Sequence, residues 1–333
     1  MGSSKIMMRS VLAVMGIAAA LVATPAKAKV YNLTLCGASP GGLWSLLGAG
    51  VDGAVKAAYP GSTITYQTSG GGFANVALLQ QKKCELGIVH DAEAVLAAKG
   101  AAPFKAPIKD LRMVSVLYTW APMQVLVNKA FAEKHGLKSL ADIAKKKIPV
   151  NVLVNKRGIV ASQIAEDILE GIGAAPKKLK SWGGSVTYSA SKQQGELMRD
   201  RRADMIINSL FVGHRSIKQL AKAIDLVILP ITGPVADSVV KKWKIKKYTI
   251  PAKAYSWASG STETITLSAQ LYALKSADKK MVGDVTKAMV DHADKVQGVH
   301  KAMRPFSAKL MGSSNAIPYH SAAEAVYKSA GIR

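Results

Sequence analysis

The stretch Cys36-Gly37-Ala38-Ser39-Pro40-Gly41-Gly42-Leu43-Trp44 separates two segments with different periodicities. Residues 30–35 before it form a short apolar run with the alternation of a β-strand, whereas residues 46–57 after it carry apolar side chains at helical spacing. A glycine-rich turn between a strand and a helix leaves backbone N–H groups exposed at the helix start, where an anion or a carboxylate can bind. The turn is therefore a candidate functional site, either for catalysis or for holding a ligand.

The N-terminus has the three parts of a secretory signal peptide. Lys5 and Arg9 are followed by an apolar run over residues 11–23 and then by Ala26-Lys27-Ala28, which match the charged, apolar and small-residue regions of such a peptide. A membrane anchor is the alternative, but the run is short for a bilayer and no stop-transfer pattern follows it. We expect cleavage to remove residues 1–28 and to leave a periplasmic protein without stable membrane insertion.

The chain is strongly basic, with 45 Lys and Arg against 21 Asp and Glu and a formal net charge of +24. Losing Lys5, Arg9 and Lys27 with the signal peptide would leave +21. Such a charge can attract nucleic acid, anionic lipid or small anions, or it can simply be solvated. The lysines form short clusters such as Lys145-Lys146-Lys147, and only 6% of the residues are aromatic. We therefore expect no nucleic-acid partner and a small anionic solute instead.

Two cysteines, Cys36 and Cys84, fall in the mature chain. An oxidising compartment allows them to form a disulfide. However, Cys36 ends the predicted first strand, whereas Cys84 precedes the next parallel strand. We expect the two residues at opposite ends of neighbouring strands, and therefore unpaired.

Short strands and helices alternate along the mature chain, which is typical of an α/β protein with largely parallel sheets. The predicted strands cover residues 30–35, 62–67, 86–89, 112–118, 150–154, 203–208, 224–231 and 264–275. The last strand returns to the first α/β unit after a second unit has formed. We predict two lobes across a cleft, with lobe I at residues 29–121 and 235–333 and lobe II at residues 122–234.

A serine hydrolase is the alternative raised by the opening stretch, because residues 37–41 match the G-x-S-x-G nucleophile elbow. That chemistry needs a backbone N–H on the residue after the serine, and Pro40 has none. The elbow also needs an earlier strand, and none is predicted between the expected cleavage site and residue 30. Motifs for phosphate, dinucleotide or metal binding are also absent from the sequence. We expect no catalytic residue, no cofactor and no metal.

Four stretches, spread over nearly the whole mature chain, carry a family resemblance through their order and spacing. They are GASPGG at 37–42 with LG at 47–48; TSGGGFAN at 68–75 with ELGIV at 85–89 and Asp91; YTIPAKAY at 248–255; and IPYH at 317–320 with Tyr327 and Gly331. On these stretches the chain resembles the TAXI family, the solute receptors of some tripartite ATP-independent periplasmic (TRAP) transporters.

The resemblance implies a type II periplasmic-binding-protein fold, in which two α/β lobes are joined by crossover strands around a central ligand cleft. It also implies a function without catalysis. Such a receptor captures a small carboxylate, for example glutamate or a related dicarboxylate, and delivers it to the permease subunits of the TRAP transporter. A second hypothesis keeps the fold but makes the protein a ligand-sensing subunit for a membrane kinase, and neighbouring genes would separate the two.

The resemblance also places ligand-binding residues on both lobes. In lobe I they lie on the turn at residues 39–44 and on the segment at residues 68–75. Each has a structural alternative, such as capping or packing. The candidates that we single out are Ser39, Gly41, Gly42, Leu43, Trp44, Thr68, Ser69, Gly70, Asn75, Arg157, Gly158, Ile159, Asn208, Ser209 and Tyr255.

One turn in lobe II departs from the family pattern. Where the family has a G-S-G-T turn before a helix, this chain has Gly158-Ile159-Val160-Ala161, preceded by Lys156 and Arg157. Arg157 can replace the missing hydroxyls by binding a carboxylate with two hydrogen bonds, or it can be an ordinary solvated side chain. The departure puts the usual family ligand in doubt and allows a ligand with an apolar part against Ile159.

Overall fold

The computed structural model describes residues 29–333; the predicted signal peptide, residues 1–28, lies outside the described residues. The strands are β1 (Asn32–Cys36), β2 (Thr63–Gln67), β3 (Leu86–His90), β4 (Leu111–Asn128), β5 (Asn151–Val154), β6 (Ser185–Tyr188), β7 (Met205–Ser209), β8 (Leu226–Leu229), β9 (Lys246–Ile250) and β10 (Thr262–Leu274). Among residues 29–333, no helix combines the length and the apolarity needed to cross a membrane.

Helices connect nearly all of these strands. They are α1 (Leu43–Ala58), α2 (Gly72–Gln80), α3 (Asp91–Lys99), α4 (Lys129–His135), α5 (Ala141–Lys145), α6 (Val160–Gly171), α7 (Pro176–Ser181), α8 (Ser191–Arg199), α9 (Arg215–Ala221), α10 (Gly233–Trp243), α11 (Lys279–Asp291), α12 (Ala293–Gln297), α13 (Ala308–Met311) and α14 (Ser321–Ser329), with a short 3-10 helix at Lys301–Met303.

The strands form one sheet in the order β2-β1-β3-β10-β4-β7-β5-β6, with β8 on β4 and β9 on β10. β1 is parallel to β2 and β3, and β5 is parallel to β6 and β7. The long strands β4 and β10 are antiparallel to each other and join these two parallel groups. The predicted α/β fold, with two lobes joined by crossover strands, is therefore confirmed.

Strand β4 shows how one element serves both lobes. The sequence predicts a strand that stops at residue 118, but β4 continues through Pro122 to Asn128. Pro122 is tolerated because it lies where β4 leaves the regular ladder of β10, whose register shifts between Leu267 and Ala269. One strand therefore links the lobes without a loop.

Each lobe has its own hydrophobic core. The lobe I core lies between the sheet and helices α1, α11 and α14, around Leu35, Val51 and Val285. The lobe II core lies around β5, β7 and α6 and includes Val239 and Trp243 of α10. The predicted boundary between residues 234 and 235 stays a prediction. The packing of α10 favours a later return to lobe I, and we propose that lobe II runs to residue 261.

The expectation of two unpaired cysteines is wrong, because Cys36 and Cys84 form a disulfide with their Cα atoms 5.9 Å apart. The chain bends at Lys83 and Glu85 before β3 begins. Cys84 therefore does not extend β3 backwards, as the prediction assumed, but turns towards the end of β1. Both cysteines are buried in the lobe I core.

Candidate functional site

A cleft of about 390 Å³ opens between the lobes, within the size range of small-molecule sites. It lies at the carboxyl ends of β1 and β3 from lobe I and of β5, β6 and β7 from lobe II, the edge where ligands bind in parallel α/β sheets. Each of these five strands leads into a helix that begins at the cleft. The N-cap residues of these helices all line the cleft; they are Gly42, His90, Ile159, Ala190 and His214.

Three of the five helix starts have no side-chain cap. Gly42, Ile159 and Ala190 make no side-chain hydrogen bond to the first turns of α1, α6 and α8. The unpaired N–H groups of a first helical turn carry partial positive charge. In α9, by contrast, His214 Nδ1 accepts a hydrogen bond from the Ser216 N–H. A ligand with acceptor oxygens can therefore satisfy donors from both lobes.

The charged side chains around the cleft are cationic. Among the described residues that line it, Lys192 and Arg215 are charged, and none is Asp or Glu. Lys192 is solvent-exposed, and its Nζ lies 3.9 Å from Glu196 Oε1 on the next turn of α8. A third cation is close to the opening, because Lys156 Nζ lies 3.4 Å from Ser39 Oγ across the cleft. Both the helix starts and the side chains favour an anion.

The turn before α1 has a fixed backbone shape. Gly41 has φ +67°, and a Cβ there would meet nothing within 4 Å, so its glycine is needed for conformation rather than for space. Gly37 is needed for space, because the Tyr66 ring lies directly against it. The Tyr66 hydroxyl accepts a hydrogen bond of 2.5 Å from the Ala38 N–H. Tyr66 therefore supports the turn from behind and leaves its other face to the cleft.

An aromatic group forms the lobe I side of the cleft. The Trp44 ring lies 4.8 Å from the His90 ring, centroid to centroid. Trp44 Nε1 donates a hydrogen bond of 3.1 Å to the Tyr118 hydroxyl, and the Tyr118 ring packs edge-on against Phe211. Burial raises the pKa of Tyr118, so its hydroxyl stays protonated. These rings combine apolar surface with hydrogen-bonding groups.

The structure brings about half of the predicted site residues to the cleft. The predicted residues that line it are Ser39, Gly41, Gly42, Leu43, Trp44, Ile159 and Ser209. The predicted residues that do not line it are Thr68, Ser69, Gly70, Asn75, Arg157, Gly158, Asn208 and Tyr255. Their role as ligand contacts stays a prediction, and most of them have structural partners.

Asn75 and Ser69 support the turn before α1. Asn75 is fully buried, and its Nδ2 donates to the carbonyl oxygens of Gly37 at 2.8 Å and Ile88 at 2.7 Å. Ser69 Oγ lies 2.6 Å from Asn75 Oδ1 and accepts from the Gly71 N–H. The two side chains hold the ends of β1 and β3 together, which fixes the turn at Ser39 from outside the cleft.

Asn208 has the same supporting role in lobe II. It is buried, and its amide bonds to Asn155, Ser191 and Gln194. Since Asn155 and Ser191 line the cleft, Asn208 acts through them. Its hydrogen bonds connect the end of β7 to the segments that follow β5 and β6.

Tyr255 also lies behind the cleft. It is buried, and its hydroxyl donates to Gln124 Oε1 at 2.6 Å and accepts from the Gly213 N–H at 3.2 Å. Gly213 immediately precedes the His214 cap of α9. Tyr255 therefore anchors the loop that positions that helix start.

The residues of the turn at 156–159, which departs from the family pattern, lie in two different environments. The Arg157 guanidinium lies over the Tyr188 ring, 3.6 Å from its centroid, and Arg157 is not among the residues that line the cleft. Ile159 lines the cleft. A Cβ on Gly71 of lobe I would lie 2.9 Å from the Ile159 side chain and 3.1 Å from the Gly158 carbonyl oxygen. The turn is thus one of the places where the lobes meet.

Several cleft residues were missed at the sequence level. They are Ala38, Pro40, His90, Tyr118, Asn155, Ala161, Ala190, Ser191, Lys192, Leu210, His214, Arg215, Ser216 and Gln219. Many of them follow β6 and β7. The four residues of β6 are too short a run to be recognised, but the helix-start pattern Ser189-Ala190-Ser191 was a usable signal. Within residues 29–333, no group of three or more His, Cys, Asp or Glu side chains could hold a metal ion.

Comparison with known proteins identifies a sequence family and a fold. The sequence profile of the NMT1-like family matches residues 35–331. MatC from Rhodopseudomonas palustris, solved with bound malate, is similar with a TM-score of 0.56 and 14% identity over 82% of this chain and 89% of that one. The periplasmic binding protein BugD has a TM-score of 0.56 and 11% identity, over 91% of this chain and 98% of its own. A further periplasmic transporter has a TM-score of 0.52 and 15% identity, over 91% and 94%. At these identities the likeness shows the fold, which is that of periplasmic solute-binding proteins.

Proposed function

Because the chain belongs to the NMT1-like family, we propose that it is a periplasmic solute receptor of the TAXI type, which captures a small carboxylate and delivers it to a TRAP permease. The receptor has no catalytic step. Its affinity comes from backbone donors, a few side-chain hydrogen bonds and closure of the lobes around the ligand. The proposed ligand is anionic and has room for an apolar part beside Leu43 and Ile159.

One observation carries this proposal: five helix starts converge on a cleft whose charged lining residues are cations. Carboxylates and other anions bind at such positions because backbone N–H groups point at them. The two lobes each contribute helix starts, so an anion between them stabilises the closed form. The malate that is bound to MatC is itself a small carboxylate, which supports this ligand class by analogy only.

The proposal is tested by thermal-shift screening of the chain from residue 29 onwards against mono- and dicarboxylates, followed by calorimetric Kd values. A ligand that binds only the native state raises the Tm. Stabilisation by one or more carboxylates is the expected result. Stabilisation by sugars or cations alone would contradict the proposed ligand class.

A pair of charge variants identifies the site. Arg215 begins α9 at the cleft, whereas Lys222 follows the other end of the same helix. We expect R215Q to weaken carboxylate binding by about 2- to 5-fold, the range for an exposed charge near its partner, and K222Q to leave it unchanged. Equal Kd values for both variants would place the ligand elsewhere.

A further inference from the structure

The hydroxyl of Tyr118 has a proton available for a ligand. The hydroxyl oxygen accepts the N–H of Trp44 at 3.1 Å, and its own proton has no acceptor among residues 29–333. A tyrosine hydroxyl has one proton to donate as well as lone pairs to accept. Tyr118 is 1% exposed and lines the cleft, so a ligand in the cleft can supply the missing acceptor.

His90 offers the complementary group. Glu93 is fully buried behind it, and Glu93 Oε2 accepts the His90 backbone N–H at 3.0 Å and lies 3.2 Å from His90 Nδ1. A carboxylate oxygen can only accept, so the contact with Oε2 assigns a proton to Nδ1 and leaves Nε2 as the ring nitrogen that can accept. His90 is 5% exposed, lines the cleft and has no Nε2 partner in the described part of the chain.

We propose that Tyr118 and His90 form a hydroxyl subsite, so that the ligand is a hydroxy acid whose hydroxyl accepts from Tyr118 and donates to His90 Nε2. This inference rests on the proposed carboxylate-binding function. The carboxylate lies at the helix starts, and the hydroxyl lies against Trp44, whose ring contacts both residues. A hydroxyl is the group that both accepts and donates, whereas a carbonyl only accepts and a methylene does neither.

The first experiment uses the unmodified protein from residue 29 onwards and matched probes. These are lactate, pyruvate and propionate; malate and succinate; and mandelate, phenylglyoxylate and phenylacetate. For each set that binds, we expect the hydroxy acid to have the lowest Kd, by about 10-fold or more over the deoxy acid, because the deoxy acid leaves two buried polar groups unpaired. The oxo acid is expected to bind more weakly than the hydroxy acid.

The second experiment uses variants with matched controls. Y118F removes the donor, and H90N removes Nε2 but keeps a residue suited to the N-cap of α3. Y272F and H320N make the same changes at a buried tyrosine and at the N-cap of α14, neither of which lines the cleft. The ratio of the deoxy-acid Kd to the hydroxy-acid Kd should fall towards 1 in Y118F and in H90N. In Y272F and in H320N it should keep the value of the unmodified protein.

The outcomes separate the two proposals. If carboxylates bind but hydroxy and deoxy acids have equal Kd values, the hydroxyl subsite is wrong and the proposed function stands. If oxo acids bind best, His90 presents a donor and the assignment is also wrong. If no carboxylate binds, the proposed function fails and the subsite fails with it. Loss of folding in one variant leaves the unmodified protein's probe ratios as the deciding measurement.

Discussion

Lys156 Nζ of lobe II lies 3.4 Å from Ser39 Oγ of lobe I, and this hydrogen bond crosses the cleft. Ser39 precedes α1 and Lys156 precedes α6, so the bond joins two segments that lead into uncapped helix starts. A second contact between the lobes, Gly71 against Gly158 and Ile159, lies beside it. The lobes therefore touch on one side of the cleft, as expected of a closed or nearly closed arrangement of the two lobes.

Removing the Lys156 charge is expected to raise the Kd of the ligand. It is also expected to make that Kd less dependent on salt concentration. Lys156 is exposed, so the effect of K156Q on the Kd of a carboxylate should be about 2- to 5-fold at low ionic strength and smaller at physiological ionic strength. Calorimetric titration at the two ionic strengths measures both effects. K309Q changes an exposed lysine on α13 and should leave both values unchanged. If K156Q bound the carboxylate with the same Kd as the unmodified protein, Lys156 would play no part in ligand binding.

Closure depends on glycine at the contact between the lobes. Gly158 has φ +83°, and a Cβ there would lie 3.2 Å from the Gly70 carbonyl oxygen. G158A should hold the lobes slightly apart, and an overpacking cost of about 1–3 kcal/mol corresponds to about 5- to 150-fold in Kd. Gly183 has a similar φ of +89°, but its Cβ would meet only Pro149 at 3.6 Å.

G183A is thus the control for backbone strain without interlobe contact. Both variants should lose similar stability in urea unfolding, and only G158A should lose affinity and show a larger radius of gyration with ligand present. If G183A lost as much affinity as G158A, the loss would come from backbone strain and not from blocked closure.

The fold could be predicted from the sequence further than the site could. Apolar periodicity placed β1, α1 and α6 because each buries a continuous face. The full length of β4 was not predicted, because Pro122 interrupts the sequence pattern of a strand. A proline inside a strand is tolerated only where the neighbouring ladder is irregular, as it is beside Pro122. The Cys36–Cys84 pair was missed because a bend at Glu85 turns Cys84 back towards β1. Bends of this kind depend on tertiary packing.

The site was predicted best where a motif begins a helix. Ser39 to Trp44 lie on the cleft because a glycine turn after a parallel strand faces the ligand edge. Asn75, in the first turn of α2, and Asn208, at the end of β7, were predicted to contact the ligand, and in the structure both bond to the backbone or to other side chains. Sequence alone does not show whether such an amide faces the ligand or supports the residues that do.

The Cys36–Cys84 disulfide is expected to stabilise lobe I. It closes a loop with a sequence separation of 48 residues, for which the chain-entropy account predicts about 4 kcal/mol and measured losses are about 2–5 kcal/mol. C36S/C84S should therefore unfold at lower urea concentration than the unmodified protein. Added reductant should lower the stability of the unmodified protein and leave the double variant unchanged. Intact-mass measurement after alkylation of the unreduced protein should find neither thiol modified, and alkylation of both would contradict the pairing.

His214 makes stability fall as the pH is lowered. Burial lowers its pKa to about 4, and the positive charge that His300 gains on protonation acts in the same direction. The unfolded chain binds a proton near the ordinary histidine value of about 6.5, so between about pH 6.5 and 4 it binds more protons than the native state does. The contribution of His214 is fully present above that range and is lost towards the acid side, by up to about 1.4 kcal/mol per pH unit.

The variant that isolates this effect is H214N, because asparagine keeps the hydrogen-bond acceptor for the Ser216 N–H at the start of α9. We expect urea unfolding of H214N to show a shallower loss of stability between about pH 6.5 and 4, while the carboxylates and His300 continue to titrate in both proteins. His214 is buried, neutral and lines the cleft. The same pH series of urea unfolding, repeated with a carboxylate bound, therefore tests whether the ligand lies beside His214. An anion beside the ring favours its protonation, so ligand should flatten the slope of the unmodified protein and leave that of H214N unchanged. Identical slopes for the unmodified protein and H214N without ligand would show that His214 is protonated as readily in the native state as in the unfolded chain.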